Sequence, residues 1–344
     1  MKKKFLALLM ASVMMLGLAA CGGGTDDAAK DGDAASGELP TVGVLIYKYD
    51  DTYISTVRNA LTEALDGKAN IEMQDGKNDQ ATQNDQLDVM IEKGVDVLCV
   101  NMVDAKAASG VVDKAAAAGI PTIFFNREPD SETIKTYDKA CFIGTNAADA
   151  GKMQGDIIKE IFDEHPEYDL NGDGKIQYTM FQGEPDNPEA IARTKYSVDK
   201  AIENGLQMEQ VAETQVCNWD TETAQKAMEA ILAANEGKVE LVIANNDGMA
   251  IGCIAALSNI GYNTGAEGAP FVPVIGVDAT DAAKDAIAKG QMSATVLQDG
   301  KAMGEAIAAV ALNAAAGVDF LEGTDYVFDD TGIAVRIPYA PFKG

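Results

Sequence analysis

The sequence predicts an α/β fold, mostly parallel in its sheets and divided between two lobes. Two observations carry that expectation. From residue 41 onward, short apolar runs rich in β-branched residues alternate with amphipathic stretches, and neither a long linker nor a short-period repeat interrupts them. Buried runs alternating with helices imply βαβ units around a parallel sheet. About three hundred residues are available for folding once the N-terminal segment is set aside, which exceeds one typical domain and favours two.

The N-terminal segment comes first. "MKKKFLALLMASVMMLGLAAC" has a basic start, an apolar run and small residues before a cysteine, the pattern of an export signal over residues 1–20. Its "LAAC" ending resembles a bacterial lipobox, which implies lipidation of Cys21 and a protein exported and anchored by lipid at the outer face of the cell membrane. Residues 21–39 are Gly, Ala, Ser and Asp with almost nothing to bury, and read as a flexible tether. The strand runs are "TVGVLIY", "VDVLCVNMV", "IPTIFF", "KIQYTMF", "VELVIA", "FVPVIGV" and "MSATVL". Between them lie helical patterns such as "TYISTVRNALTEAL", "NDQLDVMIEKG", "ETAQKAMEAILAA" and "DAAKDAIAKG".

Composition excludes several functions. The formal charge is −27, or −30 without Lys2, Lys3 and Lys4, and a surface this acidic repels nucleic-acid phosphates. His165 is the only histidine and stands in the loop-like "DEHPEYD", which removes most metal-hydrolase and Ser-His-Asp schemes. Cys99, Cys141, Cys217 and Cys253 show no CxxC spacing, so buried free thiols are expected rather than a disulfide framework.

The most informative residues stand at the carboxyl end of each strand run. These ends read "YKYDD", "VNMVD", "FNRE", "QGEPDNPE", "CNWD", "ANND", "GVDAT" and "LQDG". In open α/β sheets ligands bind beyond the carboxyl ends of the strands. Two such edges facing one another would form a cleft of Asp, Asn, Glu, Gln and Arg, groups suited to the adjacent hydroxyls of a sugar. Helix N-capping explains any single one of these residues as well. Trp219, the only tryptophan, sits at a strand end beside Asp220, and Tyr53 follows Asp51 after the first strand. Flat rings can cover the apolar faces of a pyranose, and core packing is the alternative for each.

A second signal is "DLNGDGKIQ", residues 169–177. Asp169, Asn171 and Asp173 alternate, Gly174 supplies a sharp turn and Gln177 falls at the ninth position of a calcium loop. The closing glutamate is missing, since the twelfth position is Met180. Either the loop is a polar turn, or its last carboxylate comes from elsewhere in the chain.

Together "VGVLIYKYDDTYISTVRNAL", "NDQATQNDQLDVMIEKGVDVLCVNMVD", "FFNREP", "DLNGDGKIQ", "QGEPDNPEAIAR", "NWDT", "VIANNDGMAIG" and "GVDA" resemble the periplasmic galactose/glucose-binding group of type I sugar-binding proteins of ABC importers. The match runs from residue 41 to about 340 with the motif order kept. The resemblance implies two Rossmann-like lobes of the type I periplasmic-binding-protein fold, joined by three hinge crossings. It places the N-terminal lobe at 40–120 plus 299–334 and the C-terminal lobe at 121–298 plus 335–344. It implies hydroxyl contacts from Asp51, Asn101, Arg193, Asn246 and Asp278, with Tyr53 and Trp219 stacking on the ring. Asn187, Glu189 and Gln298 stand where that group has histidine, aspartate and asparagine, so a hexose such as D-glucose or D-galactose is expected with its exact identity open. The same resemblance fills the loop with structural Ca²⁺, held by Asp169, Asn171, Asp173, the Lys175 carbonyl, Gln177 and bidentate Glu240. Implied partners are the permease of an ABC importer and, as a second, a chemoreceptor. A secreted glycosidase lacks a singled-out carboxylate pair. A regulator of this fold would carry an N-terminal DNA-binding motif instead of an export signal. A pentose, another hexose or a glycoside remains the alternative ligand.

Overall fold

The structure, a computed structural model, describes residues 38–344. The export signal, Cys21 and most of the tether lie outside the described residues. Among the described residues no helix is long and apolar enough to cross a membrane.

The first half runs β1 (Thr41–Ile46), α1 (Thr52–Leu65), β2 (Asn70–Asp75), α2 (Gln80–Lys93), β3 (Val97–Val100), α3 (Ala108–Ala118), β4 (Thr122–Phe125), α4 (Ser131–Ile134), β5 (Ala140–Gly144) and α5 (Ala147–Glu164). Next come β6 (Ile176–Gln182), α6 (Pro188–Glu203), β7 (Met208–Gln210), β8 (Gln215–Val216), α7 (Thr221–Ala234), β9 (Leu241–Ala244) and α8 (Asp247–Asn259). The chain closes with β10 (Val274–Asp278), α9 (Asp281–Ala288), β11 (Ala294–Gln298), α10 (Gly300–Ala316), β12 (Ala334–Arg336) and β13 (Tyr339–Phe342).

Two sheets result, ordered β12-β5-β4-β3-β1-β2 and β13-β11-β10-β9-β6-β7, with β8 beside β6. Every pairing of these strands is parallel except that of β11 with β13. Alternation of side chains along β1 sends Val42, Val44 and Ile46 to the face covered by α1 and α10, and Leu45 to the face covered by α2 and α3. The second sheet is likewise buried on both faces, which is why its strands read as unbroken apolar runs. Helices α1 and α10 approach closely because Gly304 has no side chain. A Cβ there would lie 2.7 Å from Ala60 Cβ and 2.8 Å from the Val57 carbonyl oxygen.

The sheet order moves two expected lobe boundaries. The first crossing is expected from sequence at residue 120, yet β4 and β5 pair with β3 and β12 in the first sheet, so the chain leaves that lobe only after residue 144. The last is expected after 334. Because β12 pairs with β5 through Arg336, the crossing falls between 336 and 339. The middle crossing, between Gln298 and Asp299, stands where expected, since β11 closes in the second sheet and α10 packs on the first. Lobe one is therefore residues 39–145 with 299–336, and lobe two the remainder. Strands β2, β5, β12 and β13 are not among the runs legible in the sequence. The first is only half-buried, and the last two are short and gain their place by pairing with distant strands. The four thiols are free and buried, and burial pushes each of them up.

Candidate functional site

The carboxyl ends of both sheets open onto one interlobe cleft, lined by nine of the ten ligand residues expected from sequence. Lobe one supplies Asp51 and Tyr53 from the β1–α1 connection. Lobe two supplies Asn187, Glu189 and Arg193 from the start of α6, with Trp219, Asn246, Asp278 and Gln298 from the ends of strands or the turns that follow them.

Capping and cleft lining turn out to be compatible. Asp51 caps α1, its Oδ1 accepting from the Ile54 N–H at 2.7 Å, while Oδ2 accepts from the Tyr47 hydroxyl at 2.6 Å. Asn187 caps α6 through the N–H groups of Glu189 and Ala190 at 2.9 and 3.2 Å. Asn246 caps α8 through the Met249 N–H at 2.9 Å. The cap fixes each side chain against a rigid helix end, so its position in the cleft costs little further ordering.

Arg193 is the hub. It is 3 % exposed; Nη1 donates to the Asn245 carbonyl at 2.8 Å, and Nη2 donates to Gln298 Oε1 at 2.7 Å and to the Tyr339 hydroxyl at 3.0 Å. Asp278 Oδ1 stands 3.9 Å away. Burial opposes the Arg193 charge, but Tyr339, Asp278 and Glu189 hold the guanidinium more firmly protonated than usual. Around it Arg193 Nε, Glu189 Oε2 and Gln298 Nε2 are buried with no protein partner among the described residues. Each such group costs about 1–3 kcal/mol unless something hydrogen-bonds to it. One acceptor and two donors, all on residues lining the same cleft, suit a small polyhydroxylated ligand.

Trp219 reaches the cleft through an unusual backbone, φ +66°. Its indole N–H donates to Glu184 Oε2 at 2.8 Å, and its ring lies over Gly183, where a Cβ would come within 2.3 Å of ring carbons. Tyr53 is 5 % exposed and its phenol, pushed up by burial, stays neutral. Both aromatics therefore line the cleft, one from each lobe.

Asn101, placed among the ligand groups by resemblance, is fully buried and outside the cleft lining. Its Nδ2 donates to the Phe125 carbonyl and to Asn126 Oδ1, both at 3.2 Å, and its Oδ1 has no protein partner among the described residues. The residue that reaches the cleft is Asn126, at φ +61°. It stands in the "FNRE" strand end, and an Asn directly after a buried run, in a turn that needs the left-handed region, is the signal that points to it. Tyr47 and Arg127 also line the cleft; they stand in the strand ends "YKYDD" and "FNRE", though neither is among the ligand residues expected from sequence.

Beneath Asp278 lies Asp247, fully buried. Oδ1 accepts from the Thr295 hydroxyl at 2.6 Å, and Oδ2 from the N–H and hydroxyl of Thr280 at 2.7 and 3.2 Å. Burial raises its pKa to about 7 against those hydrogen bonds, and burial raises Asp278 as well. A carboxyl raised in the folded state binds more protons than the unfolded chain between about pH 4 and 7, so its contribution is present at low pH and lost on the way to 7. Unfolding free energy measured in urea should thus fall from pH 5 to 8, and Asp247→Asn should flatten that slope. An unchanged slope in the variant would assign the dependence elsewhere.

The acidic loop sits between α5 and β6, away from the cleft residues. Asp169 accepts from the N–H groups of Gly172 and Gly174 at 2.8 and 2.9 Å, Asn171 from Asp173 N–H at 2.8 Å, and Asp173 from Lys175 N–H at 2.8 Å. Glu240 approaches from just before β9. Its oxygens accept from Leu170 and Gln177 N–H at 2.7 and 3.0 Å, and more distantly from Asn171 N–H at 3.4 Å. Burial raises Glu240 despite these donors. Gln177 Oε1 is buried and without a protein partner among the described residues. No three acidic, His or Cys side chains among the described residues converge on one point there, so a cation would depend on amide and carbonyl oxygens from Asn171, Lys175 and Gln177 as well. An all-oxygen set of this kind fits Ca²⁺ and no softer metal.

Against known families, residues 42–319 match the model of the periplasmic binding protein domain. The chain belongs to the periplasmic binding protein family. It is a binding protein and not an enzyme. It is 37 % identical over 301 residues to the D-galactose/methyl-galactoside binding periplasmic protein of Haemophilus influenzae, covering 87 % of this chain and 88 % of that one. An ABC transporter solute binding protein from Bacillus halodurans, with bound myo-inositol, superposes with a TM-score of 0.72 at 28 % identity, covering 89 % of this chain and 94 % of the other. A solute binding protein from Clostridium phytofermentans, with bound β-D-glucose, shares the fold at a TM-score of 0.70 and 21 % identity, covering 88 % and 94 %.

Proposed function

We propose that this periplasmic binding protein captures a single hexose, D-glucose or D-galactose, between its lobes and delivers it to the permease of an ABC importer. The observation that carries the reading is the ring of buried, partnerless polar atoms on Glu189, Arg193 and Gln298 among the described residues, enclosed with Tyr53 and Trp219. A relative named for D-galactose and methyl-galactoside binding supports the sugar class. A second reading, a cyclic polyol or a different monosaccharide, is favoured by the solved relative holding myo-inositol. Both readings supply hydroxyls to the buried Glu189 Oε2, which has no protein partner among the described residues.

Calorimetry on sugar-stripped protein decides between them. Glucose or galactose should bind with a dissociation constant on the order of micromolar or tighter, about 8 kcal/mol. No heat with either hexose, with heat from ribose or myo-inositol, would transfer the site to the second reading. Trp219→Ala should cost about 1–3 kcal/mol of that affinity. Indole emission of the parent protein should change on saturation, since Trp219 is the sole tryptophan.

The reading includes Ca²⁺ as a structural ion in the 169–177 loop, with Asp169, Asn171, Asp173, the Lys175 carbonyl, Gln177 and Glu240 as its holders. Such an ion would tie the loop to Glu240, whereas the sugar site is built from other residues. Lipidation at Cys21 belongs to the same proposal, and mass determination of the mature N-terminus tests it.

A further inference from the structure

The cleft has a larger neighbour. A wider groove lies against it at the lobe interface. Val103, Lys106 and Pro129 line that groove from lobe one, Glu184 and Asp186 from lobe two. Two residues alone, Arg127 and Asn187, line both spaces. They form the wall between them.

Arg127 is clamped in that wall. Nη1 donates to the Val103 carbonyl at 2.8 Å, and its guanidinium lies 3.5 Å over the Tyr47 ring. Nη2 crosses the lobe boundary to Glu184, at 3.0 Å from Oε1 and 2.8 Å from Oε2. Glu184 Oε2 also takes the Trp219 indole N–H at 2.8 Å. The Arg127 side chain is 6 % exposed and Glu184 20 %, so the pair is largely withdrawn from water, and a charge-assisted bond there is held more strongly than a surface ion pair. Because the partners belong to different lobes, the wall is complete only while the lobes are together.

We propose that Arg127, held by Glu184, is the length filter of this protein: it confines the cleft to one sugar ring and shuts it off from the groove. This rests on the reading of the cleft as a monosaccharide site. With the Arg127 side chain removed, Asn187 alone stands between the two spaces and the cleft opens toward the groove beside it. A disaccharide could then place one ring between Tyr53 and Trp219 and the second in the groove, whose polar Lys106 and Asp186 and apolar Val103 and Pro129 suit a second ring.

Calorimetry with the tightest-binding monosaccharide, and with disaccharides carrying it at either end, tests the filter in wild type, Arg127→Ala and Glu184→Ala. Wild type should prefer the monosaccharide by roughly a hundredfold or more. Arg127→Ala should lose about tenfold on the monosaccharide and reduce the preference below about tenfold for at least one disaccharide. Melting curves establish that the variant is folded. If Arg127→Ala is not, Glu184→Ala, which removes the cross-lobe partner together with the acceptor of the Trp219 indole N–H, supplies the comparison through the ratio of the two affinities. A loosened Trp219 weakens both sugars, while only an open wall changes their preference. A preference unchanged within about twofold in a folded variant, or a wild type that binds a disaccharide as tightly as the single ring, overturns the filter while leaving the monosaccharide site intact. A wild type that binds no monosaccharide overturns the functional reading itself, and the filter with it.

Discussion

Arg193→Ala is expected to abolish measurable sugar binding and to destabilise the protein by about 3–5 kcal/mol, the range for removing one member of a buried ion pair. The loss has three parts. Gln298 Oε1 and the Tyr339 hydroxyl lose their shared donor, the Asn245 carbonyl loses another, and Asp278 is left buried without the positive charge that stood 3.9 Å away. Asp278, already raised by burial, would retain its proton to still higher pH. Arg193→Lys keeps the charge but cannot reach Asn245, Gln298 and Tyr339 together, so it should recover part of the stability and little of the affinity. Urea unfolding and calorimetry measure the two separately. Full affinity in Arg193→Ala would remove the residue from the site.

The second large effect concerns Glu240. At a hundredfold excess over its dissociation constant, an ion bound only by the folded state adds about 2.7 kcal/mol. Wild type should therefore melt several degrees lower in chelator than in calcium. Glu240→Gln should abolish that difference. It should also melt low under both conditions, because an amide oxygen replaces only one of two carboxylate oxygens that accept from Leu170 and Gln177 N–H. An unsatisfied buried donor costs about 1–3 kcal/mol. Sugar affinity should be unaffected by the chelator, since the loop shares no residue with the cleft lining. A wild type indifferent to chelator would make the loop a turn closed by Glu240 alone.

Strand runs buried on both faces, such as "LVIA" and "VIGV", announce the parallel sheets directly, because nearly every residue in them is apolar. Polar strand ends likewise disclose the cleft, since the chain must turn there and both lobes turn toward one another. What stayed hidden depends on pairing at a distance. β12 and β13 carry three and four residues each, and only their partners β5 and β11 make them strands. The lobe boundary near residue 144 was hidden for the same reason, as nothing local to β4 or β5 names the sheet it joins. Asn101 against Asn126 shows the limit within the site. Both stand directly after apolar runs, yet Asn126, at φ +61°, lines the cleft while Asn101 is buried beside it and bonded to its side chain.

Three crossings of the chain have a further consequence for how the molecule is made. Lobe one lacks both its α10 cover and its edge strand β12 until residues 300–336 exist. Lobe two lacks β13 until residue 342. A chain extending from its amino end thus cannot complete either sheet until residues 334–342 have been added, and until α10 forms the first sheet has only α1 on that face. Contacts this remote in sequence close slowly, and exposed sheet faces invite association between chains. Residues 300–342 thus finish both lobes at once, and the two halves depend on the same stretch of chain for their completion.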